Sequence, residues 1–205
     1  MSTTRNHWDD TYTAKAETQV SWFQTAPARS LALIERALGD DRSAAIVDVG
    51  GGASRLVDGL LERGYRDLTV LDVSEVALSK SRIRLGEQAN RVSWIAADIT
   101  EWLPQRVWQL WHDRAVFHFL VEKAAQDAYI AALTRATAPG SSVLMACFAL
   151  DGPERCSGLP VQRYSAQTLA ARLGSAFELV DEARESHATP GGKLQNFTYA
   201  LFRRL

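Results

Sequence analysis

The chain has 205 residues, of which 46% are hydrophobic, and its formal net charge at pH 7 is −1. This length suits one α/β domain, and a nearly neutral chain lacks the basic field that nucleic-acid binding needs, so we expect no nucleic-acid partner. No run approaches the ~20 apolar residues of a membrane span, and no apolar leader follows Met1. Cys147 and Cys156 have no companion ligands for a metal site, so we expect free thiols, no metal and a cytoplasmic location.

The first predicted element of the sheet is an apolar run, Ala45 to Val49, that is too short and too β-branched for a helix. Three consecutive glycines follow it: Gly50, Gly51 and Gly52. Glycines allow a sharp turn and a close approach of the backbone to a ligand, and the helix predicted from Leu56 turns its N-terminal N–H groups toward that ligand. The segment predicts a buried parallel strand that ends in a nucleotide-binding turn.

The spacing of the glycines separates two classes of cofactor. The nicotinamide and flavin fingerprint needs a third glycine where this chain has Arg55, so a diphosphate site is disfavoured. The remaining pattern, with Asp48 two residues before Gly50 and Gly52, resembles the first motif of class I S-adenosylmethionine (SAM)-dependent methyltransferases. SAM carries a sulfonium and an ammonium, so a neighbouring acid suits it better than it suits a diphosphate.

Two further acids stand at the ends of the next two predicted strands. Asp72 follows the apolar run Leu68 to Leu71, about 20 residues after the glycines, which is the spacing of an acid that accepts ribose hydroxyls. Asp98 follows the third predicted strand, Val92 to Ala97. The resemblance implies that Asp72 contacts the ribose of SAM with Val73 as a further cofactor contact, that Asp98 contacts the adenine amino group, and that Ile99 packs on the adenine ring.

The fourth predicted strand leads to three candidate site residues. Asp113 and Arg114 lie where the family brings methyl donor and acceptor together, so either is expected to contact the methionine end of SAM or the substrate. Asp113 and His118 are also the candidate catalytic bases. The alternatives are a surface ion pair between Asp113 and Arg114, or an arginine bonded to nearby carbonyls. For His118 the alternative is an ordinary packed side chain.

The rest of the chain completes the architecture. Helices are predicted from Gln126 to Ala138 and from Ser165 to Leu173, and strands at Ser142 to Ala149, Phe177 to Ala183 and Asn196 to Phe202. These elements predict a Rossmann-like, seven-stranded, mostly parallel sheet with helices on both faces and a C-terminal antiparallel hairpin, as in class I methyltransferases. We expect a single domain over 1–205, with an N-terminal helical lid (1–43) and a Rossmann-like core (44–205).

Substrate contacts are expected outside that core. By resemblance to small methyltransferases, Tyr12 lies near the methionine carboxylate, and Trp22 and Phe23 line the acceptor site; the alternative is a helix docked permanently on the core. Cys156, in the loop 150–164, is a candidate substrate contact. His187 is a third candidate base.

The resemblance implies methyl transfer from SAM, which leaves S-adenosylhomocysteine (SAH). The acceptor is expected to be a small molecule, with a lysine of another protein as the alternative. A nicotinamide-dependent oxidoreductase and a non-catalytic SAM-binding protein are the alternatives from other classes. The protein is expected to be a monomer or homodimer, with no membrane partner.

Overall fold

The computed structural model describes residues 3–205. Its helices are α1 (Thr3–Ala14), α2 (Ala28–Leu38), α3 (Leu56–Glu62), α4 (Glu75–Leu85), α5 (Lys123–Ala136) and α6 (Ala166–Leu173). Its strands are β1 (Ala45–Val49), β2 (Asp67–Asp72), β3 (Val92–Ala96), β4 (Leu110–Arg114), β5 (Ser142–Phe148), β6 (Arg155–Cys156), β7 (Leu159–Pro160), β8 (Phe177–Ala188) and β9 (Leu194–Arg204). Within residues 3–205 no helix is both long enough and apolar enough to cross a bilayer.

Seven of these strands form one sheet in the order β3-β2-β1-β4-β5-β9-β8. The five strands from β3 to β5 are parallel, whereas β9 runs antiparallel to both β5 and β8. The predicted fold, a mostly parallel seven-stranded sheet with a C-terminal hairpin, is confirmed. The strand order reverses between β1 and β4, and in open α/β sheets ligands bind in the crevice outside the carboxyl ends of such strands.

Some boundaries differ from the sequence-based prediction. Helix α5 starts three residues before Gln126 and ends two residues before Ala138. Both strands of the C-terminal hairpin are longer than predicted, because the outer half of β8 alternates exposed with partly buried residues instead of forming an apolar run. The loop 150–164 contains the short hairpin of β6 and β7.

The core lies on both faces of the sheet. Side chains of α2 and α3 cover one face, and side chains of α5 and α6 cover the other. Neighbouring residues of β4 belong to opposite faces because side chains alternate along a strand. Trp111 therefore packs toward Tyr129 of α5, whereas the next residue, His112, reaches Ser30 of α2.

Candidate functional site

Two adjoining cavities lie at the carboxyl edge of β1 to β4. The first has a volume of about 780 Å³, including space open to solvent. Its lining includes residues that end β2 and follow β3: Asp72, Val73, Asp98 and Ile99. The second is lined in part by Asp48, Gly51, Arg55 and His112. Residues that line both cavities are Tyr12, Trp22, Gly50 and Arg114.

Asp72 is a buried carboxyl group at the wall of the first cavity. Its Oδ1 accepts a hydrogen bond from the backbone N–H of Ser74 at 2.8 Å. Burial raises the pKa of Asp72 to about 7, the Ser74 bond opposes that shift, and the negative charges of Asp48 and Asp9 add to it. The glycine turn approaches closely here, since a Cβ on Gly52 would lie 2.5 Å from Asp72 Oδ2. A ligand that donates hydrogen bonds to this carboxyl group would stabilise its charged form.

Asp98 and Ile99 form the far wall of the first cavity. Asp98 Oδ1 accepts hydrogen bonds from the backbone N–H and the hydroxyl of Thr100, at 3.0 and 2.7 Å. These bonds hold the turn after β3, and the buried Ile99 side chain presents an apolar surface beside it. The pair offers an acceptor and a flat apolar contact to one ligand.

Asp48 belongs to a buried polar chain that sequence reasoning missed. The strand register pairs Asp48 of β1 with His112 of β4, and Asp48 Oδ1 lies 2.7 Å from His112 Nδ1. His112 Nε2 lies 2.9 Å from the Ser30 hydroxyl. The other carboxylate oxygen, Asp48 Oδ2, is buried without a hydrogen-bond partner. An unpaired buried carboxylate oxygen is costly, and a cationic ligand group would satisfy it.

Arg114 is a buried cation at the boundary of the two cavities, with a side chain that is 10% exposed. Its Nε donates to the Tyr199 hydroxyl at 3.1 Å and its Nη1 donates to the Trp22 carbonyl at 3.1 Å. The guanidinium lies 4.3 Å from the centre of the Phe197 ring. Its Nη2 makes no hydrogen bond, and the nearest carboxylate oxygen, Glu185 Oε2, is 3.7 Å away. The side chain is held in place with one donor group left over.

Asp113, a predicted catalytic base and cofactor contact, is surrounded by groups of the protein itself. Asp113 is fully buried. It accepts hydrogen bonds from the N–H groups of Val116 and Phe117 at 2.9 and 3.1 Å, and from the Tyr129 hydroxyl at 2.5 Å. Burial raises the pKa of Asp113 to about 6. Its carboxyl group shapes the turn after β4 and lines neither cavity.

His118 and His187 also lie outside the linings of both cavities. His118 is fully buried, its Nδ1 accepts from the backbone N–H of Phe148 at 3.3 Å, and burial lowers its pKa to about 3. His187 Nε2 lies 2.8 Å from the Ser21 carbonyl. Packing and backbone contacts occupy both rings, so the structure does not support the assignment of either as a base or substrate contact.

The other predicted substrate residues lie at the cavities. Trp22 lines both, Cys156 lines the first and Phe23 lines the second. Burial raises the pKa of the Cys156 thiol to about 11, so the thiol is protonated at neutral pH. Cys147 is buried in β5, and neither cysteine is in a disulfide within residues 3–205.

The N-terminal segment covers both cavities and is tied to the core by polar contacts. Asp9 Oδ1 accepts from the Ser74 hydroxyl at 2.6 Å. Glu17 binds Arg55 and Arg84, each at 2.6 Å. These contacts join α1 and the turn after it to the start of α3 and to both ends of α4.

Comparisons with known proteins agree with this geometry. Residues 46–140 match the family described as a methyltransferase domain. The chain is 23% identical over 125 residues to the eEF1A lysine and N-terminal methyltransferase of Mus musculus, a match that covers 61% of this chain but only 16% of that protein.

Solved structures share the fold. A SAM-dependent methyltransferase from Anabaena variabilis has a TM-score of 0.78 at 13% identity, with 100% of this chain and 96% of that one covered. The 1,6-didemethyltoxoflavin-N1-methyltransferase of Burkholderia thailandensis, solved with 1,6-didemethyltoxoflavin and SAH, has a TM-score of 0.70 at 23% identity, with 98% and 84% covered.

Proposed function

We propose that the chain, whose residues 46–140 match a methyltransferase domain, is a class I SAM-dependent methyltransferase and transfers the methyl group of SAM to a small-molecule acceptor. The observation that carries the proposal is the first cavity, which gathers Asp72, Asp98 and Ile99 from the ends of neighbouring strands beside Gly50. In this assignment Asp72 accepts hydrogen bonds from the two ribose hydroxyls, and Asp98 accepts one from the adenine amino group. Val73 and Ile99 pack on the adenine.

The second cavity fits the methionine end of the same cofactor. Asp48 Oδ2 and Arg55 Nε are buried polar atoms without hydrogen-bond partners, and both residues line this cavity. One accepts and the other donates, as an ammonium and a carboxylate require. Tyr12 lines the same cavity, and burial raises its pKa well above its usual range, so its hydroxyl remains a donor. SAM supplies an electrophilic methyl group on a sulfonium.

The protein's own contribution is alignment and exclusion of water. Trp22 and Tyr12 come from the N-terminal segment, which covers the site and acts as a lid in this proposal. Such closure excludes water from a displacement in which positive charge is lost, and fixed positions reduce the entropy cost of bringing two reactants together. The domain organisation, a lid over 1–43 and a core over 44–205, is part of the same proposal.

There are two candidate classes of acceptor, a small molecule and a protein side chain. The covered cavities favour a small molecule, since a protein side chain would have to enter beneath the N-terminal segment. The sequence similarity to a lysine and N-terminal methyltransferase favours a protein acceptor as the second candidate. Incubation with methyl-labelled SAM and a fractionated cell extract separates them: the small-molecule proposal expects label in the low-mass fraction, and label confined to protein would contradict it.

Calorimetric titration with SAM, SAH and NADH tests the cofactor. We expect the first two to bind and NADH not to bind. The variant Asp72→Asn should lose most of the affinity for SAH, whereas Asp67→Asn, at the other end of β2 in an exposed pair with Arg106, should retain it. Binding of NADH in place of SAH would instead support an oxidoreductase.

A further inference from the structure

We propose that the methyl acceptor is a small planar anion that binds Arg114 and reacts through its anionic atom. The inference rests on the proposed function and adds to it the chemical class of the acceptor. It follows from three features of the site: the state of the ionisable groups that line the cavities, the fixed position of Arg114, and the aromatic wall beside it.

The ionisable groups that line the cavities offer no base for the acceptor. The Tyr12 hydroxyl and the Cys156 thiol are protonated, because burial raises the pKa of both. The other ionisable side chains of the linings have partners or an assigned place on the cofactor. Glu17 pairs with Arg55 and Arg84, and His112 lies between Asp48 and Ser30. Asp72 and Asp98 are assigned to the adenosine of the cofactor. An acceptor that arrives deprotonated needs no base.

Arg114 is the residue best placed to select such an acceptor. It lines both cavities at the end of β4, and Tyr199 and Trp22 hold its guanidinium so that Nη2 keeps its hydrogen-bonding capacity. Glu185 balances its charge from 3.7 Å, beyond hydrogen-bond range. The Glu185 carboxylate is itself held by donors from Gln24 and Tyr199. A guanidinium with a free donor is suited to a carboxylate or another delocalised anion.

Arg114 is available to the acceptor because Arg55 is assigned to the carboxylate of the cofactor. Arg55 follows the glycine turn and lines the second cavity with Asp48. Arg114 instead donates hydrogen bonds to the Tyr199 hydroxyl of β9 and to the Trp22 carbonyl in the segment before α2.

Aromatic side chains give the shape of the acceptor. Trp8, Trp22 and Phe119 line the first cavity with Arg114. Trp8 contacts both other rings edge to face, with its ring centre 5.7 Å from that of Trp22 and 5.1 Å from that of Phe119. Flat apolar walls of this kind favour a planar ring or conjugated system. In the reaction, a lone pair of the acceptor anion forms the bond to the methyl carbon, the carbon–sulfur bond breaks, and its electron pair stays on sulfur. Products are neutral methylated acceptor and SAH, with no proton left to remove.

Three aromatic probes of matched size and different charge test the inference: benzoate, benzamide and benzylamine, each titrated into SAH-saturated protein. We expect benzoate to bind about tenfold or more tightly than benzamide, because a charge-assisted bond to Arg114 is added, and benzylamine to bind most weakly. No preference for benzoate, or a preference for benzylamine, overturns the inference. Failure of the wild-type protein to bind SAH instead defeats the proposed function.

Substitutions of Arg114 test whether this residue causes the preference for benzoate. Arg114→Gln should bind benzoate no better than benzamide, and Arg36→Gln, which removes an exposed arginine paired with Asp181 of β8, should keep the preference. Arg114→Lys retains the charge and should give an intermediate result if Arg114→Gln does not fold; the wild-type series decides the matter if neither folds. Loss of SAH affinity in Arg114→Gln with unchanged affinity for 5′-methylthioadenosine, which lacks the amino-acid part, would place Arg114 on the cofactor and overturn the inference.

Discussion

Gly50 and Val116 are in such close contact that a Cβ on Gly50 would overlap the Cγ2 atom of Val116. Gly50 also has a φ of +69°, in the left-handed region. The contact joins the turn after β1 to the turn after β4, at the boundary of the two cavities. Both the backbone conformation and the space at this position therefore require glycine.

Replacement of Gly50 by valine should abolish SAH binding. The side chain would displace Val116 and narrow the cavity, and a β-branched residue is strained at positive φ. Calorimetry checks the affinity and circular dichroism checks the fold. Gly64→Val is the matched control, because Gly64 also has a positive φ, of +83°, but has nothing within 4 Å of its Cβ position. Normal SAH binding by Gly50→Val would show that the turn is only structural.

SAH affinity should rise from about pH 5.5 through pH 7 and level off above about pH 8. The pKa of Asp72 is about 7 in the free protein because the carboxyl group is buried, and only the carboxylate accepts from both ribose hydroxyls. Asp72→Asn should flatten this profile.

The raised pKa of Asp72 has the opposite effect on the stability of the fold, which falls as pH rises. The folded pKa of Asp72 exceeds its unfolded value, so wild-type stability from this group is fully present below about pH 4 and is lost as pH rises toward 7. Asp72→Asn should therefore gain stability relative to wild type at pH 8, as measured by urea unfolding. A wild-type SAH affinity that is independent of pH would contradict the assignment of Asp72.

His112 should act through Asp48. His112→Gln removes the contact that holds Asp48 Oδ1, so Oδ2 loses its position toward a cofactor ammonium. We expect weaker binding of SAH and unchanged binding of 5′-methylthioadenosine, which has no ammonium. Equal losses for both ligands would indicate a general structural role. Thr137→Ala, a buried hydroxyl on the other side of the fold that donates to the Leu133 carbonyl, controls for loss of a buried polar group.

Asp113→Asn should destabilise the protein by about 1–3 kcal/mol, because an amide oxygen cannot replace a carboxylate that accepts three hydrogen bonds. Denaturant unfolding gives the free energy, with the exposed Asp127→Asn of α5 as the control. SAH affinity of the folded variant should stay within about twofold of wild type. A large specific loss of affinity with unchanged stability would restore Asp113 to the site.

Amide exchange over residues 8–24 should slow when SAH binds, whereas β1 should be protected in both states. Asp9 and Glu17 tie the segment to the core, as do the carbonyls of Ser21 and Trp22, and lids belong to the less stable parts of a fold. Glu17→Gln should increase exchange in the free protein. Protection that is high and unaffected by SAH would mean a permanently docked helix.

The architecture, and the strand-end acids that line the cavities, could be predicted from the sequence. Short apolar runs, glycines and strand-end acids are local signals, and the carboxyl ends of parallel strands meet at one edge, which brings Asp48, Asp72 and Asp98 together. Alternation along β4 is also a local signal, because successive side chains of a strand point to opposite faces. Asp113 and Arg114 are neighbours in β4, so this alternation alone indicates that they cannot share one face of the sheet.

Only the tertiary structure decided which side chains meet at the cavities. Ser30 and His112 are 82 positions apart, and Trp22 and Arg114 are 92 apart, so no local pattern links them. Whether Asp113 and His118 face a cleft or the core depends on what α5 and β5 place against them. The sequence by itself determined the elements and the strand-end acids, because these follow from periodicity and turn chemistry. Burial and the choice of hydrogen-bond partners depend on packing between distant segments, and these settled which ionisable groups are available to a ligand.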